Sequence, residues 1–278
     1  MRYNGLHLLI GMALQKVEAP LFLQYADALT LGAIREDIRY DRRQRKLVEH
    51  WSLTHFSGRW LGGGFIPGLT RSAPAQAQCY FDAALAAWPH VGGASAPPFS
   101  GPGSDAAHSC SGASGTGHAK TSASGMPAAG IARAMVLLGQ ASHLLIDMAC
   151  PVHASRVAHW SDGYEWYVDS HVAELGTLPF ALPAPFANVR ANVAALARFT
   201  QQFAPDRTHH HWGRWLMRRG WRQSLPQAEL AAQAHAIIPV AAGHLAAMYQ
   251  QFIQSCRVDA CPAAPTLPAG EQLTHVQA

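Results

Sequence analysis

Charged side chains make up only 14% of the 278 residues, and apolar ones make up 49%. That balance excludes both a disordered chain and a solvated coiled coil. No stretch approaches eighteen uninterrupted apolar residues, and on that ground the sequence reading excludes a membrane-spanning helix. Strand signals are nearly absent. The five cysteines, Cys79, Cys110, Cys150, Cys256 and Cys261, form no CxxC pair, which removes zinc ribbons and thioredoxin-type motifs. Cys256 and Cys261 are close enough for a local disulfide, conditional on an oxidising compartment. The net charge of +4 suits an anionic substrate or surface but is too small and scattered to indicate nucleic-acid binding. What is abundant is histidine, 16 residues against 17 aspartates and glutamates. Imidazole is the commonest side-chain metal ligand, so a metal site is the first hypothesis.

Apolar spacing predicts helix over 6–32 with a break at Pro20, then over 73–88, 130–149, about 162–175, about 188–203 and 226–255. The basic run 39–46 reads as a solvated loop or helix face, with contact to an anionic surface as the second possibility. Residues 51–70 read as irregular loop around Gly62-Gly63-Gly64. Residues 92–127 are mostly Gly, Ser, Ala, Pro and Thr, too little apolar material to fold, and read as a flexible insertion. The expected organisation is one all-α domain over 1–261, a multi-helix bundle carrying that insertion, followed by a disordered tail over 262–278. His209-His210-His211 reads as a solvated loop, and His235 and His244 as packed or hydrogen-bonded residues of the last helix.

Residues 130–150 are the most informative. Met135, Leu138, Leu144, Leu145, Ile146 and Met148 make this helix apolar nearly all round, so it should be buried. Gln140, His143 and Asp147 nevertheless fall three and four apart as one polar stripe. Burying them needs a partner; an i, i+4 His/Asp pair gripping a cation is one answer, and a buried His–Asp hydrogen bond is the other. Composition predicts about one His-x3-acid pair by chance, and roughly 0.06 once His153 is required six positions further on.

The residues here resemble a known family. Leu138-Gly139-Gln140-Ala141-Ser142-His143-Leu144-Leu145-Ile146-Asp147, followed by Pro151-Val152-His153, looks like the signature of the zinc-dependent phospholipase C and P1/S1 nuclease superfamily. Gly163-Tyr164-Glu165-Trp166 resembles the segment with that family's ligand glutamate. Leu31-Gly32-Ala33-Ile34-Arg35-Glu36-Asp37 resembles its GA…ED element, Thr54-His55-Phe56 its NHF element, and His7 with Ile10 its N-terminal histidine helix. The matching elements keep the family's order between residues 7 and 169.

The resemblance implies a bundle of the phospholipase C/P1 nuclease type holding about two to three zinc ions. One zinc would be held by His55, His143 and Asp147, with Asp37 as a fourth ligand or as the general base. A second would be held by His153, Glu165 and a further histidine. The family places that histidine four residues before the glutamate, where this chain has Ser161, and His159 is the substitute; His171 with Glu174 is the rival pair. A third site would use His7 and Asp147 together with an N-terminal tryptophan. No tryptophan precedes His7, which leaves that site short of a ligand unless the true start lies upstream. Glu165 also has capping-box spacing from Asp162. No cysteine enters this ligand set, which favours a catalytic over a structural centre.

The expected activity is hydrolysis of phosphate esters by a metal-activated water, of phospholipid in first place, with peripheral membrane-surface contact and no stable protein partner. The alternatives are a P1/S1-like nuclease, a metal-binding relative without activity, and a helical interaction protein with structural histidines. Family resemblance implies a secreted or periplasmic protein, although the N-terminal stretch is a poor signal peptide.

Overall fold

In the computed structural model the described residues are 1–17, 19–36, 38–41, 46–49, 72–89, 126–155, 162–206 and 225–256. Their elements run α1 (Tyr3–Lys16), α2 (Pro20–Gln24), α3 (Ala26–Arg35), β1 (Ile38–Asp41), β2 (Lys46–Glu49), α4 (Ala73–Ala87), α5 (Met126–Asp147), α6 (Pro151–Ala154), α7 (Gly163–Ser170), α8 (Val172–Leu175), α9 (Val189–Thr200) and α10 (Gln227–Cys256). The body of the fold is all-α, as the spacing of apolar residues predicts.

One short ribbon departs from that expectation. β1 and β2 pair antiparallel, with Ile38 opposite Glu49 and Asp41 opposite Lys46, across part of the run read as a loop or helix face. The charge run concealed two strand-like quartets, Ile38-Arg39-Tyr40-Asp41 and Lys46-Leu47-Val48-Glu49, each with β-branched or aromatic residues. Pro20 opens α2 as its first residue, because a missing N–H costs nothing at that position. Residues 51–70, most of 92–127, and 262–278 lie outside the described residues, so the expected loop, insertion and tail are not on view.

Helix α5 is the centre of the packing, with α3 and α4 against it, while α10 packs on α1, α7 and α9. Leu144, Leu145 and Ile146 are fully buried, each such burial contributing roughly 1.5–3 kcal/mol. The crossing of α3 and α5 is set by two glycines. A Cβ on Gly32 would stand 2.0 Å from the Val136 carbonyl oxygen, and one on Gly139 would stand 2.0 Å from that of Leu29. The two backbones touch, with no side chain between them.

Among the described residues two helices are long and apolar enough to cross a membrane, over 128–147 and over 227–256. The uninterrupted-run criterion overlooks both, because average hydropathy tolerates scattered polar residues. Within these stretches 56% and 61% of the window is buried against other helices, as in the core of a packed bundle. Cys256, at the end of α10, is a free thiol, and Cys261, its expected partner, lies outside the described residues.

Gly139→Ala is expected to destabilise the fold by on the order of 3 kcal/mol, since backbone cannot move aside for the added methyl. It should lower the urea midpoint at unchanged m-value. An unchanged midpoint would mean that α3 and α5 do not meet backbone to backbone.

Candidate metal centre

Three consecutive breaks in the chain build the site. Helix α5 ends at Asp147, and Pro151 opens α6 as a new short helix carrying His153. Asp162 then caps α7, its Oδ1 accepting the Tyr164 N–H at 2.7 Å; Glu165 follows in the first turn. Asp206 accepts the Gly163 N–H at 2.8 Å and the Leu225 N–H at 2.8 Å, so the start of α7 is held from two sides.

Around these turns the sequence-identified residues converge. His143 Nε2 lies 3.2 Å from Asp147 Oδ2, with neither side chain exposed. His153 Nε2 lies 3.9 Å from Asp147 Oδ1 and 3.5 Å from Glu165 Oε1. The Met1 ammonium stands between the two acids, 2.7 Å from Asp147 Oδ1 and 2.8 Å from Glu165 Oε1. A positive group thus occupies the point on which both carboxylates bear. Burial pushes the Asp147 carboxyl up, but His143, His153 and that ammonium outweigh it and hold it well below the usual carboxylate range. Burial also works against charge on His153, and Asp147 and Glu165 override it, raising its pKa above the ordinary imidazole value.

The geometry adds a residue that the sequence reading left out. Cys150, His153 and Glu165 each bring one ligand atom within 4.8 Å of the others, with Cys150 and His153 buried. Ligand atoms about 2.0–2.3 Å from one ion lie no more than about 4.6 Å apart, so small adjustments suffice to close this group on a metal. The Cys150 thiol donates to Asp162 Oδ2 at 3.2 Å. Burial, then Glu165, raises the Asp162 carboxyl to about 7, against the hydrogen bonds from Cys150 and Tyr164. Burial, then Asp162 and Glu165, pushes the Cys150 thiol well up. Three carboxylates, two imidazoles and a thiol crowd into one buried region, a set that needs positive charge or hydrogen bonds to answer it. The donor set fits a divalent metal of the zinc type.

Beside the expected ligand set, which has no cysteine, the described residues offer a Cys/His/Glu group that could hold a metal ion. Its sequence signal was Cys150-x-x-His153, directly after the α5 pair. Asp162, read only as a cap, ties Cys150 to α7 as well.

The remaining expectations divide. His7 is exposed on α1, its ring tilted against Tyr3 at 4.3 Å between centroids; the start of α1 brings the Met1 amine to the acids instead. Asp37, His55 and His159 lie outside the described residues. The rival pair is dispersed: His171 Nδ1 contacts the Tyr167 carbonyl at 2.8 Å, and Glu174 meets His235 at 2.8 Å on the surface. Gln140 donates to Glu36 Oε2 at 3.2 Å, and the Tyr80 hydroxyl donates to Glu36 Oε1 at 3.2 Å. The stripe on α5 is thus shared between two carboxylate sites. His244 is packed and hydrogen-bonded, with Nδ1 at 2.6 Å from Asn192 Oδ1.

The chain matches no protein-family model, and no curated protein matches it. The functional reading therefore rests on the site itself and on the motif resemblance.

His244 supplies a pH prediction away from the metal group. Burial lowers its pKa from 6.5 to about 4, against the hydrogen bond to Asn192. As pH falls through that window the unfolded chain takes up a proton that the folded chain refuses, so stability drops. His244→Gln lacks that proton uptake. Its stability deficit relative to wild type should narrow between pH 6.5 and about 4 in urea denaturation, and a deficit constant with pH would overturn the assignment.

Proposed function

We propose that this protein is a zinc-dependent hydrolase of phosphate esters, with phospholipid as the first substrate class. The observation that carries the reading is Asp147, a carboxylate with no exposed surface, facing His143, His153 and a cationic group at 2.7 Å. An apolar helix keeps such a group only where a positive charge answers it. The likeness of the motifs around His143, His153 and Glu165 to the zinc-dependent phospholipase C and P1/S1 nuclease superfamily supports the choice of metal and reaction.

Within that reading His143 and Asp147 hold one ion, and His153 and Glu165 take part in a second. A bound zinc ion supplies Lewis acidity that polarises a phosphoryl oxygen and brings the pKa of its water toward neutrality. The chain's own residues set the geometry. Asp147, at the last turn of α5, faces His143 on one side and His153 on the other, so a single carboxylate orients both imidazoles. Asp162 and Asp206 fix the start of α7 and with it the direction of Glu165. Asp37 is the proposed general base, a role that rests on the motif resemblance alone. Beside Glu165, the Trp166 ring is half exposed, and the Arg2 guanidinium lies 3.3 Å above its centroid. That pair offers an anionic ester both a charge and an aromatic surface. The preference for phospholipid over nucleic acid rests on the resemblance of Tyr164-Glu165 to the phospholipase branch.

Elemental mass spectrometry of the untagged, chelator-free chain should find about two to three zinc ions per molecule, and the protein should cleave a chromogenic phosphocholine ester. Asp147→Asn, which keeps the shape and removes the charge, should lose both zinc and turnover. Retained metal and turnover in that variant would sink the reading, as would a wild-type chain that takes up no zinc when it is supplied. A change confined to melting temperature would favour a structural role for the His–Asp pair.

A further inference from the structure

Resting on that metal-site reading, we propose that the Cys150 sulfur is a direct ligand of the ion held by His153 and Glu165, taking the place that the sequence pattern gives to His159. The three donors fall within one 4.8 Å group, and two of the three residues are buried. Cys150 itself is fully buried, one residue before Pro151, which opens α6. It is therefore fixed relative to His153 by a single turn of backbone, with the Ala154 N–H bonded to the Cys150 carbonyl at 3.0 Å. A Cys-x-x-His step of this kind sends both donors to the same side, and Glu165 arrives from α7 to complete a three-ligand face with an open position.

Charge favours the same arrangement. A thiolate and a carboxylate together balance a divalent ion while His153 binds as a neutral imidazole, so the buried group becomes electrically closed. Without the ion, Cys150 keeps its proton and spends it on Asp162 at 3.2 Å. On binding, the S–H bond breaks, a sulfur–metal bond forms, and the proton leaves to the buffer; no electrons are transferred. Asp162 keeps its other oxygen on the Tyr164 N–H and remains in place as the cap. Among the described residues the buried Tyr164 hydroxyl has no hydrogen-bond partner, which makes it a donor available to a negatively charged sulfur. A soft sulfur donor beside imidazole selects zinc or cobalt and discriminates against magnesium and calcium.

Cobalt(II) is the probe. The full-length chain, stripped of metal and kept reduced with a phosphine, is titrated with cobalt chloride and followed by absorption. Thiolate ligation should give an intense sulfur-to-cobalt charge-transfer band in the near ultraviolet beside the visible ligand-field bands. Cys150→Ser should abolish that band and weaken cobalt binding by more than the roughly 10–100-fold that loss of an outer-shell partner costs. A variant with Cys79, Cys110, Cys256 and Cys261 all changed to serine should retain the band, and it decides the question even if Cys150→Ser fails to fold. His159→Ala should leave the band in place. Cobalt that binds without the band, a band that survives Cys150→Ser, or a band lost with the other four cysteines would overturn Cys150 as a ligand while leaving the metal site standing. A chain that takes up no cobalt overturns the metal reading together with it.

Discussion

Asp147 is a carboxylate without solvent, and the local architecture follows from what that requires. An isolated buried charge costs far more than a protein's net stability, so the group must be answered by positive charge, by hydrogen bonds, or by a metal. Here the answer comes from three directions: His143 one turn earlier on the same helix, His153 on the short helix that follows, and the Met1 amine from the start of α1, which draws in Glu165 as well. Chain segments far apart in sequence are thereby bound to one point. Such a centre works as a fastening as well as a candidate site of chemistry, since breaking any one of these contacts leaves the others uncompensated.

The second determinant is the break between α5 and α7. Continuous helix would carry His153 round the barrel of α5 and away from Asp147. Pro151 prevents this: it has no N–H to extend the ladder, but it can start a new helix. Asp162 then does double service, capping α7 through one oxygen and receiving the Cys150 thiol through the other. The cap of α7 and the partner of the Cys150 thiol are thus the same residue, so the position of Glu165 on α7 and the position of Cys150 before α6 cannot vary independently.

Much of this was legible in the sequence. The polar stripe Gln140, His143 and Asp147 stands out because, Ser142 and Arg133 aside, that helix is built of apolar and small residues, and such a contrast survives without knowledge of the fold. The helices were readable for the same reason, being long and strongly periodic. The β1–β2 ribbon was hidden by the charge run 39–46, whose arginines draw attention from the short apolar positions beside them. Cys150 escaped because a single cysteine beside a proline has no repeating pattern, and because a ligand set imported from a family resemblance has no place for it. The Met1 amine could not be read from side-chain types at all, for it is a backbone group. Gln140 illustrates the limit of periodicity: the spacing marked it correctly as a polar partner on α5, but only packing shows that its partner is Glu36 rather than Asp147.

The contact of α3 with α5 through Gly32 and Gly139 has a further meaning. Elsewhere in the core, helices are separated by side chains that can repack, and substitution can shift one helix against its neighbour by fractions of an ångström. A joint made of backbone on backbone has no such adjustment. It fixes the distance between the two axes at the smallest value that chain geometry permits, and with it the height at which α3 delivers Glu36 to Gln140 in the polar stripe of α5. The crossing therefore acts as a rigid datum, a place where the fold sets its dimensions by contact alone and leaves mutation only the choice between keeping it and opening it.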